Sequence, residues 1–314
     1  MRYYTIDILK DGKIVKTYTS FKNNITIPGA LNIEMDIPVY ELGLPMGMAY
    51  LKIWGISLQD ISSATDLANF DINVYAGMQK GLPLANPKQN GLILNGTIYQ
   101  AFGNWQDTNM TLDFVIYPNI GTSNEPKNIV FTWAKGAFIG DAIKQALATP
   151  FPNYKPNISV NPGLVASENF TGYYDSVIQL AKDLNTISSS IVKKKNYRGI
   201  SVTVQENAFN VYDGTTITEP KKIEFTDIIG QCTWIDFATV QFKAIMRADL
   251  KVGDYVKLPP GQVTLGAQSF ASLKDKLTFN TTSNAFQIIR IRHVGNFRQA
   301  DASAWVTVID CVIT

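Results

Sequence analysis

The sequence contains one histidine, His293, and two cysteines, Cys232 and Cys311. Histidine and cysteine are the most common zinc ligands, and histidine is the usual base of a catalytic triad. The chain therefore has few of the residues that a zinc site or a catalytic triad requires. Two cysteines are too few for a disulfide framework, and we expect both to be small buried apolar residues. Whether they pair stays open, because pairing depends on geometry. We predict no metal site, no cofactor and no catalytic residue.

Charged residues of either sign are also scarce. The chain has 28 Lys and Arg residues and 26 Asp and Glu residues, which together make up only 17% of the sequence. A domain that binds nucleic acid through phosphate contacts needs a basic patch, which these totals do not indicate. The run Lys193-Lys194-Lys195 is more typical of a solvated loop than of a binding patch. The only Gly-Lys pair, Gly12-Lys13, lacks the other glycines and the hydroxyl of a phosphate loop. The sequence therefore predicts no nucleotide site.

Long apolar runs are missing. No window reaches the about 18 consecutive apolar residues of a membrane helix, and Asp7, Lys10 and Asp11 interrupt the first segment where a signal peptide would need an apolar stretch. We therefore expect a soluble protein without stable membrane association. Hydrophobic residues make up 46% of the chain and aromatic residues 11%, which favours a β-rich globular protein over a disordered one.

The first 120 residues or so have the pattern of short strands. Residues 2–9 and 13–20 flank Asp11-Gly12, a pair that suits a tight hairpin turn, and residues 30–39 alternate apolar and polar side chains. Residues 57–70 predict a short helix capped by Ser57. About seven strands with one helix indicate an antiparallel barrel or sandwich, and we assign residues 1–122 to a first tube-like β-barrel domain.

The middle of the chain has a different pattern of apolar residues. Apolar residues at helical spacing predict helices over 136–149 and 173–187, with strands at 157–160, 199–205 and 209–214. These elements form a predicted α/β region over residues 123–221. Strand patterns return from Lys222, among them 273–279 and 304–314, and predict a second tube-like β-barrel domain over 222–314. The predicted fold is mainly β with an α+β insertion: two tube-like antiparallel β-barrel domains flank the middle region.

Residues 286–298 form the most basic strand pattern. Alternation places Arg290 and Arg292 on one face, opposite Ile291 and His293, and Arg298 follows the turn. We name Arg290, Arg292 and Arg298 as candidate interface residues, against the simpler interpretation of a solvated strand face. A hydrogen-bonded His293 at a strand end is a better hypothesis than a catalytic one.

Five segments, in order, carry a resemblance to a known family. The segments NNITIPGALNIEMDIPVY (23–40) and 92–118 resemble the first tube domain of baseplate hub proteins of tailed phages, a family related to the hub part of type VI secretion spike proteins. The segments GAFIGDAIKQAL (136–147) and 172–185 match its two helices. The last, MRADLKVGDYVKLP with FQIIRIRHVGNFR and AWVTVIDCVIT, resembles its carboxyl-terminal tube domain.

The resemblance implies a function without catalysis. Members of the family form homotrimeric rings that join the sixfold tail tube to the threefold central spike, and the tape measure protein and then DNA pass through the channel. It implies the tail tube protein, the spike protein and the tape measure protein as partners, and a place in the tail baseplate of a virion assembled in the host cytoplasm. We expect Arg290 and Arg292 to face a neighbouring protein and not the channel.

Two alternatives stay open. The first is a receptor- or carbohydrate-binding tail protein, because tryptophans can stack on sugars; their scatter through strand patterns favours core packing instead. They are Trp54, Trp105, Trp133, Trp234 and Trp305. The second is a cell-wall hydrolase, which needs two carboxyl groups in one cleft. Glu168 with Asp175 and Asp141 with Asp183 are near predicted helices, but nothing distinguishes them from surface acids.

Overall fold

The computed structural model describes residues 1–42, 47–79, 86–118, 128–194, 197–216, 219–236, 238–259, 264–265 and 285–313. The chain divides into two compact units. Unit 1 comprises Met1–Val39, Gly47–Pro118 and Pro220–Thr314, and unit 2 comprises Tyr40–Met46 and Asn119–Glu219. The strand predicted at 273–279 lies outside the described residues.

The described residues form 21 strands and three α-helices, which confirms a mainly β fold with few helices. The strands are β1 Arg2–Lys10, β2 Lys13–Thr19, β3 Phe21–Lys22, β4 Ile25–Thr26, β5 Ile33–Val39, β6 Ala49–Trp54, β7 Asp71–Met78, β8 Gly91–Gln106, β9 Asn109–Pro118, β10 Ile129–Trp133, β11 Lys155–Ser159, β12 Phe170–Tyr174, β13 Ser201–Gln205, β14 Ala208–Tyr212, β15 Lys221–Lys222, β16 Thr233–Trp234, β17 Thr239–Ile245, β18 Tyr255–Lys257, β19 Thr264–Leu265, β20 Phe286–Asn296 and β21 Trp305–Ile313. The α-helices are α1 Leu58–Ser62, α2 Ile139–Ala148 and α3 Val177–Ile191. Among the described residues, every helix is too short or too polar to span a membrane.

Unit 1 is organised around one sheet, to which 14 of the described strands belong. Its strands pair in the order β19-β16-β17-β21-β20-β5-β6-β9-β8-β7-β1-β2, with β18 on β20 and β15 on β18. The antiparallel pairing of β20 with β5, in which His293 lies opposite Ile37, brings strands from the two ends of the sequence together. The two terminal regions therefore share one continuous sheet.

The opening hairpin forms as the sequence predicts. Asp11 and Gly12 have φ values of 50° and 73°, the left-handed conformation that a two-residue turn between antiparallel strands requires. Burial then alternates along β1 and β5, so that Tyr4, Ile6 and Ile37 are fully buried. Each buried row faces the apolar core of unit 1, because successive side chains of a strand point to opposite faces.

The predicted helix over 57–70 is shorter and has two parts. The Ser57 side chain accepts a hydrogen bond from the backbone N–H of Asp60 and caps α1, and a 3-10 turn continues the segment over Ala64–Leu67. Asn69 follows with a φ of 68°. The α1 segment packs on β8 at Gly103, where a Cβ atom would lie 2.7 Å from Cγ2 and 2.8 Å from Cα of Ile61.

We expect Gly103→Ala to lower the free energy of unfolding by about 1–3 kcal/mol, because the added methyl group displaces α1 from the sheet. Chemical denaturation followed by circular dichroism measures the loss. Gly29→Ala is the matched control, since a Cβ at Gly29 meets no atom within 4 Å. Equal stability of the two variants would show that α1 moves without cost.

Unit 2 combines helices with two small sheets. Strands β11, β14 and β13 form one sheet in which β11 and β14 are parallel, and β10 pairs with β12. The apolar faces of α2 and α3 contribute to its core, with Ile143 and Leu180 fully buried. The helix predicted to start at residue 173 begins at Val177, because Ser176 caps it through the backbone N–H of Gln179 while Tyr173 and Tyr174 end β12.

Candidate assembly surface

The basic strand β20 has two different faces. Arg290 and Arg292 are exposed, whereas Ile291 and His293 are buried, which is the alternation expected from the sequence. A bulge between Ile288 and Arg290 in the pairing with β21 shifts the register at this point. Arg290 and Arg292 therefore project from the same face of the sheet, away from the core.

Each of these two arginines has a carboxylate partner on a neighbouring strand. The Arg292 guanidinium binds both carboxylate oxygens of Asp36 on β5, with Nε 2.6 Å from Oδ1. Nη1 of Arg290 lies 3.4 Å from Oδ2 of Asp310 on β21. Both arginine side chains are about half exposed, at 53% and 51%, so each pair stabilises the fold by at most about 1 kcal/mol. The Arg292–Asp36 pair bridges β20 and β5.

Asp310 is buried beside Arg290 and pairs with a second side chain. Its Oδ1 accepts a hydrogen bond of 2.8 Å from Nε2 of Gln241 on β17. Burial raises the pKa of this carboxyl, and Gln241 and Arg290 act against the rise. Arg290 thus partly compensates a carboxylate that the fold has removed from water.

A second carboxylate is buried on the same face of the sheet, in β9. Asp113 accepts hydrogen bonds from Thr111 Oγ1 at 2.8 Å, from Asn104 Nδ2 at 3.2 Å and from the Tyr50 hydroxyl, and Lys52 Nζ lies 3.1 Å away. Burial acts to raise the pKa of Asp113, but the hydrogen bonds and the charge of Lys52 outweigh it and the pKa lies below its usual range. The carboxylate therefore stays ionised and ties β6, β8 and β9 together.

Cross-strand polar pairs continue this surface to β2. Thr5 and Thr19 hydroxyls lie 2.7 Å apart, and Asn95 Nδ2 donates to Asn73 Oδ1 at 2.6 Å. We call the surface the polar face and define it by these residues: Thr5, Thr19, Asn73, Asn95, Asn104, Asp113, Lys52, Asp36, Arg292, Arg290 and Asp310. Its charged side chains form ion pairs within the chain. Such a face has neither the apolar character of a core nor the unbalanced positive charge of a nucleic-acid-binding surface.

Arg298 lies apart from the other two arginines, beyond the end of β20. Its Nη2 donates to the carbonyl oxygens of Pro28, at 3.0 Å, and Ala30, and its backbone N–H donates to Asn32 Oδ1. The structure therefore brings two of the three candidate interface residues together and places the third in a different environment.

His293 is a buried residue within β20. It is 3% exposed, and its Nδ1 lies 3.0 Å from the Thr307 hydroxyl oxygen on the adjacent β21. Burial lowers the pKa of His293 to about 3, so the ring is neutral at physiological pH. The structure supports a hydrogen-bonded histidine, located inside the strand and not at its end.

Unit 1 contains a buried ionic cluster that was not predicted from the sequence. Arg247 is 4% exposed, and its Nε and Nη2 each lie 2.7 Å from a carboxylate oxygen of Asp249. Its Nη1 donates to Asp227 at 2.9 Å, and Gln89 also donates to Asp227 at 2.9 Å. The only sequence signal is the spacing of Arg247 and Asp249, which does not by itself indicate a buried ion pair.

The residues of the two alternative functions are scattered. Asp183, one of the candidate acids, accepts a hydrogen bond of 2.9 Å from the Tyr174 hydroxyl. This contact gives Asp183 a structural role. Trp133, Trp234 and Trp305 are buried, and Trp54 is half-buried. Trp105, at the tip of the β8–β9 hairpin, is 63% exposed and donates its indole N–H to the Asp107 carbonyl oxygen. Core packing therefore explains most of the tryptophans.

Comparison with solved structures identifies proteins of the same fold. The fold resembles that of the 43 kDa tail protein of prophage MuSo2 from Shewanella oneidensis, with a TM-score of 0.53 and 7% identity over 99% of this chain and 97% of that chain. It also resembles an Escherichia coli component of the type VI secretion system that is described as similar to the T4 bacteriophage tail proteins gp27 and gp5, with a TM-score of 0.50 and 9% identity over 90% of this chain and 73% of that chain. No family model and no curated protein matches the sequence. The resemblance predicted from the sequence is thus confirmed at the level of the fold.

Proposed function

We propose that this protein is a structural baseplate hub of a phage tail and acts by shape, without catalysis. Three copies form a ring that joins the sixfold tail tube to the threefold central spike, and the tape measure protein and DNA pass through it. The observation that carries the proposal is the similarity of the fold to that of a prophage tail protein, which extends over 99% of this chain. The site of action is the baseplate of the virion, after assembly in the host cytoplasm.

The sheet of unit 1 supports subunit association through a strand edge. Strand β2 ends the order of pairing, and β1 is its one partner in the described part of that sheet. Ile14 and Val15 on β2 are 59% and 51% exposed. An edge strand with exposed branched side chains and free backbone groups can add to a sheet of a neighbouring copy. Closed rings of identical subunits require contacts of this heterologous kind.

The paired charges of the polar face suit a protein that meets DNA only in transit. A surface that releases few counterions holds a polyanion weakly, and the lysine and arginine side chains of this face are each next to a carboxylate. Within the ring we propose that Arg290 and Arg292 contact a neighbouring protein. A trimer structure with both guanidinium groups in the channel would contradict that assignment.

Size-exclusion chromatography with light scattering tests the ring. We expect a mass close to three times 34.8 kDa for the purified chain. Val15→Lys should shift the mass to that of a monomer, because a lysine on the β2 edge opposes pairing with another strand. Val130→Lys is the matched control at an exposed valine of unit 2, and should leave the mass unchanged. A monomeric wild-type protein at the highest concentration it reaches would contradict self-assembly.

A further inference from the structure

A shallow cavity in unit 1 contains two arginines without an acidic side chain in its described lining. The cavity has a volume of about 370 Å³. Its lining includes Arg2, Ile27, Pro28, Phe297 and Arg298. Two cations therefore share one concave surface with the apolar side chains of Ile27, Pro28 and Phe297.

Backbone carbonyl groups hold both guanidinium groups in place. Arg2 donates to the carbonyl oxygens of Asn296 at 2.8 Å, Phe297 at 3.1 Å and Asp301 at 2.7 Å, and to that of Gln299. Arg298 donates to Pro28 and Ala30, and its Cζ lies 6.0 Å from the centre of the Phe297 ring. The cations are thus ordered before any partner arrives, which reduces the entropic cost of binding.

Neutral carbonyl groups orient these cations but do not neutralise them. The charge of Asp301 acts on Arg2 and offsets part of its positive charge. The Nε and Nη1 atoms of Arg298 have no hydrogen-bond partner among the described residues. Donor capacity and positive charge therefore remain available at the cavity.

We propose that this cavity binds an acidic protein segment that also carries an aliphatic side chain. A carboxylate of the segment accepts hydrogen bonds from Arg298, with the charge of Arg2 adding to the attraction, and the aliphatic side chain covers Ile27, Pro28 and Phe297. A nucleic-acid backbone would satisfy the two cations but would leave this apolar lining uncovered. The proposal rests on the proposed function, since it names the chemistry of a partner that a tail hub holds.

Fluorescence anisotropy with labelled probes tests the cavity. The probe is an eight-residue peptide of alternating Glu and Leu, and the reference peptide carries Gln in place of Glu. We expect the Glu peptide to bind the full-length protein at least tenfold more tightly than the Gln peptide. Arg298→Glu should weaken binding of the Glu peptide at least tenfold, and Arg298→Lys should weaken it less, because a lysine keeps the charge but loses the planar fork.

Arg198→Glu is the matched control, since it makes the same charge change on an exposed arginine outside the cavity. It should alter binding less than twofold. Equal binding of the Glu and Gln peptides, no binding of either, or an unchanged affinity in Arg298→Glu would overturn the proposal. So would Arg298-dependent binding of an eight-nucleotide oligothymidylate without binding of the Glu peptide. Light scattering on the same samples reports ring formation separately, so a failed ring and a failed cavity are distinguishable.

Discussion

Arg247→Met should lower the free energy of unfolding of unit 1 by about 3–5 kcal/mol. The arginine is the counter-charge of two carboxylates, and its own side chain is 5% exposed beside Asp227 at 12%. Methionine fills much of the same volume but leaves Asp227 and Asp249 without a cation. The loss should be visible in chemical denaturation at neutral pH.

Two further variants separate the ionic effect from packing. Arg247→Lys keeps the charge but cannot contact Asp249 with two nitrogens as the guanidinium does, so its stability should be intermediate. Removing all charges at once, with Asp227→Asn and Asp249→Asn added to Arg247→Met, should restore stability relative to the single variant, because no buried charge is left unpaired. A triple variant as unstable as Arg247→Met would show that the arginine acts mainly by filling space.

The sequence predicts local elements well where one residue decides them. Asp11-Gly12 indicates the first turn, and Ser57 indicates the start of α1, because a positive φ and a helix cap are properties of the residues themselves. The start of α3 was misplaced because Tyr173 and Tyr174 fit a helical stripe as well as a strand. The cap at Ser176 is the signal that could have corrected it.

Long-range pairing could not be predicted from the same information. Arg292 and Asp36 are 256 residues apart, and neither one has a local feature that identifies the other. The shared sheet depends on β20 lying beside β5, and strand patterns specify which face is buried without specifying the neighbour. The Arg247 cluster was missed for the same reason, since Gln89 and Asp227 reach it from distant parts of the chain. Of the polar face, only Arg290 and Arg292 were therefore predicted from the sequence, and their partners required the fold.

Acidification from pH 7.5 to pH 5 should destabilise the protein through His293. Burial lowers the pKa of the folded histidine to about 3, below the value of about 6.5 in an unfolded chain, so only the unfolded state binds the proton in this range. The contribution is fully present above pH 6.5 and falls by about 1.4 kcal/mol per pH unit as the pH drops towards 3. At pH 5 the expected loss is about 2 kcal/mol, measured by denaturation at a series of pH values.

His293→Gln isolates this effect, because the chain has no other histidine. The variant should be less stable at pH 7.5 yet nearly independent of pH down to 5, so that the two stability curves converge in acid. The raised pKa of Asp310 acts with the opposite sign, since the folded carboxyl binds its proton at a higher pH than the unfolded one and adds stability as the pH falls. Asp310→Asn should therefore steepen the loss of stability as the pH falls. Parallel curves for wild type and His293→Gln would mean that the buried ring becomes protonated without unfolding, through water entering between β20 and β21.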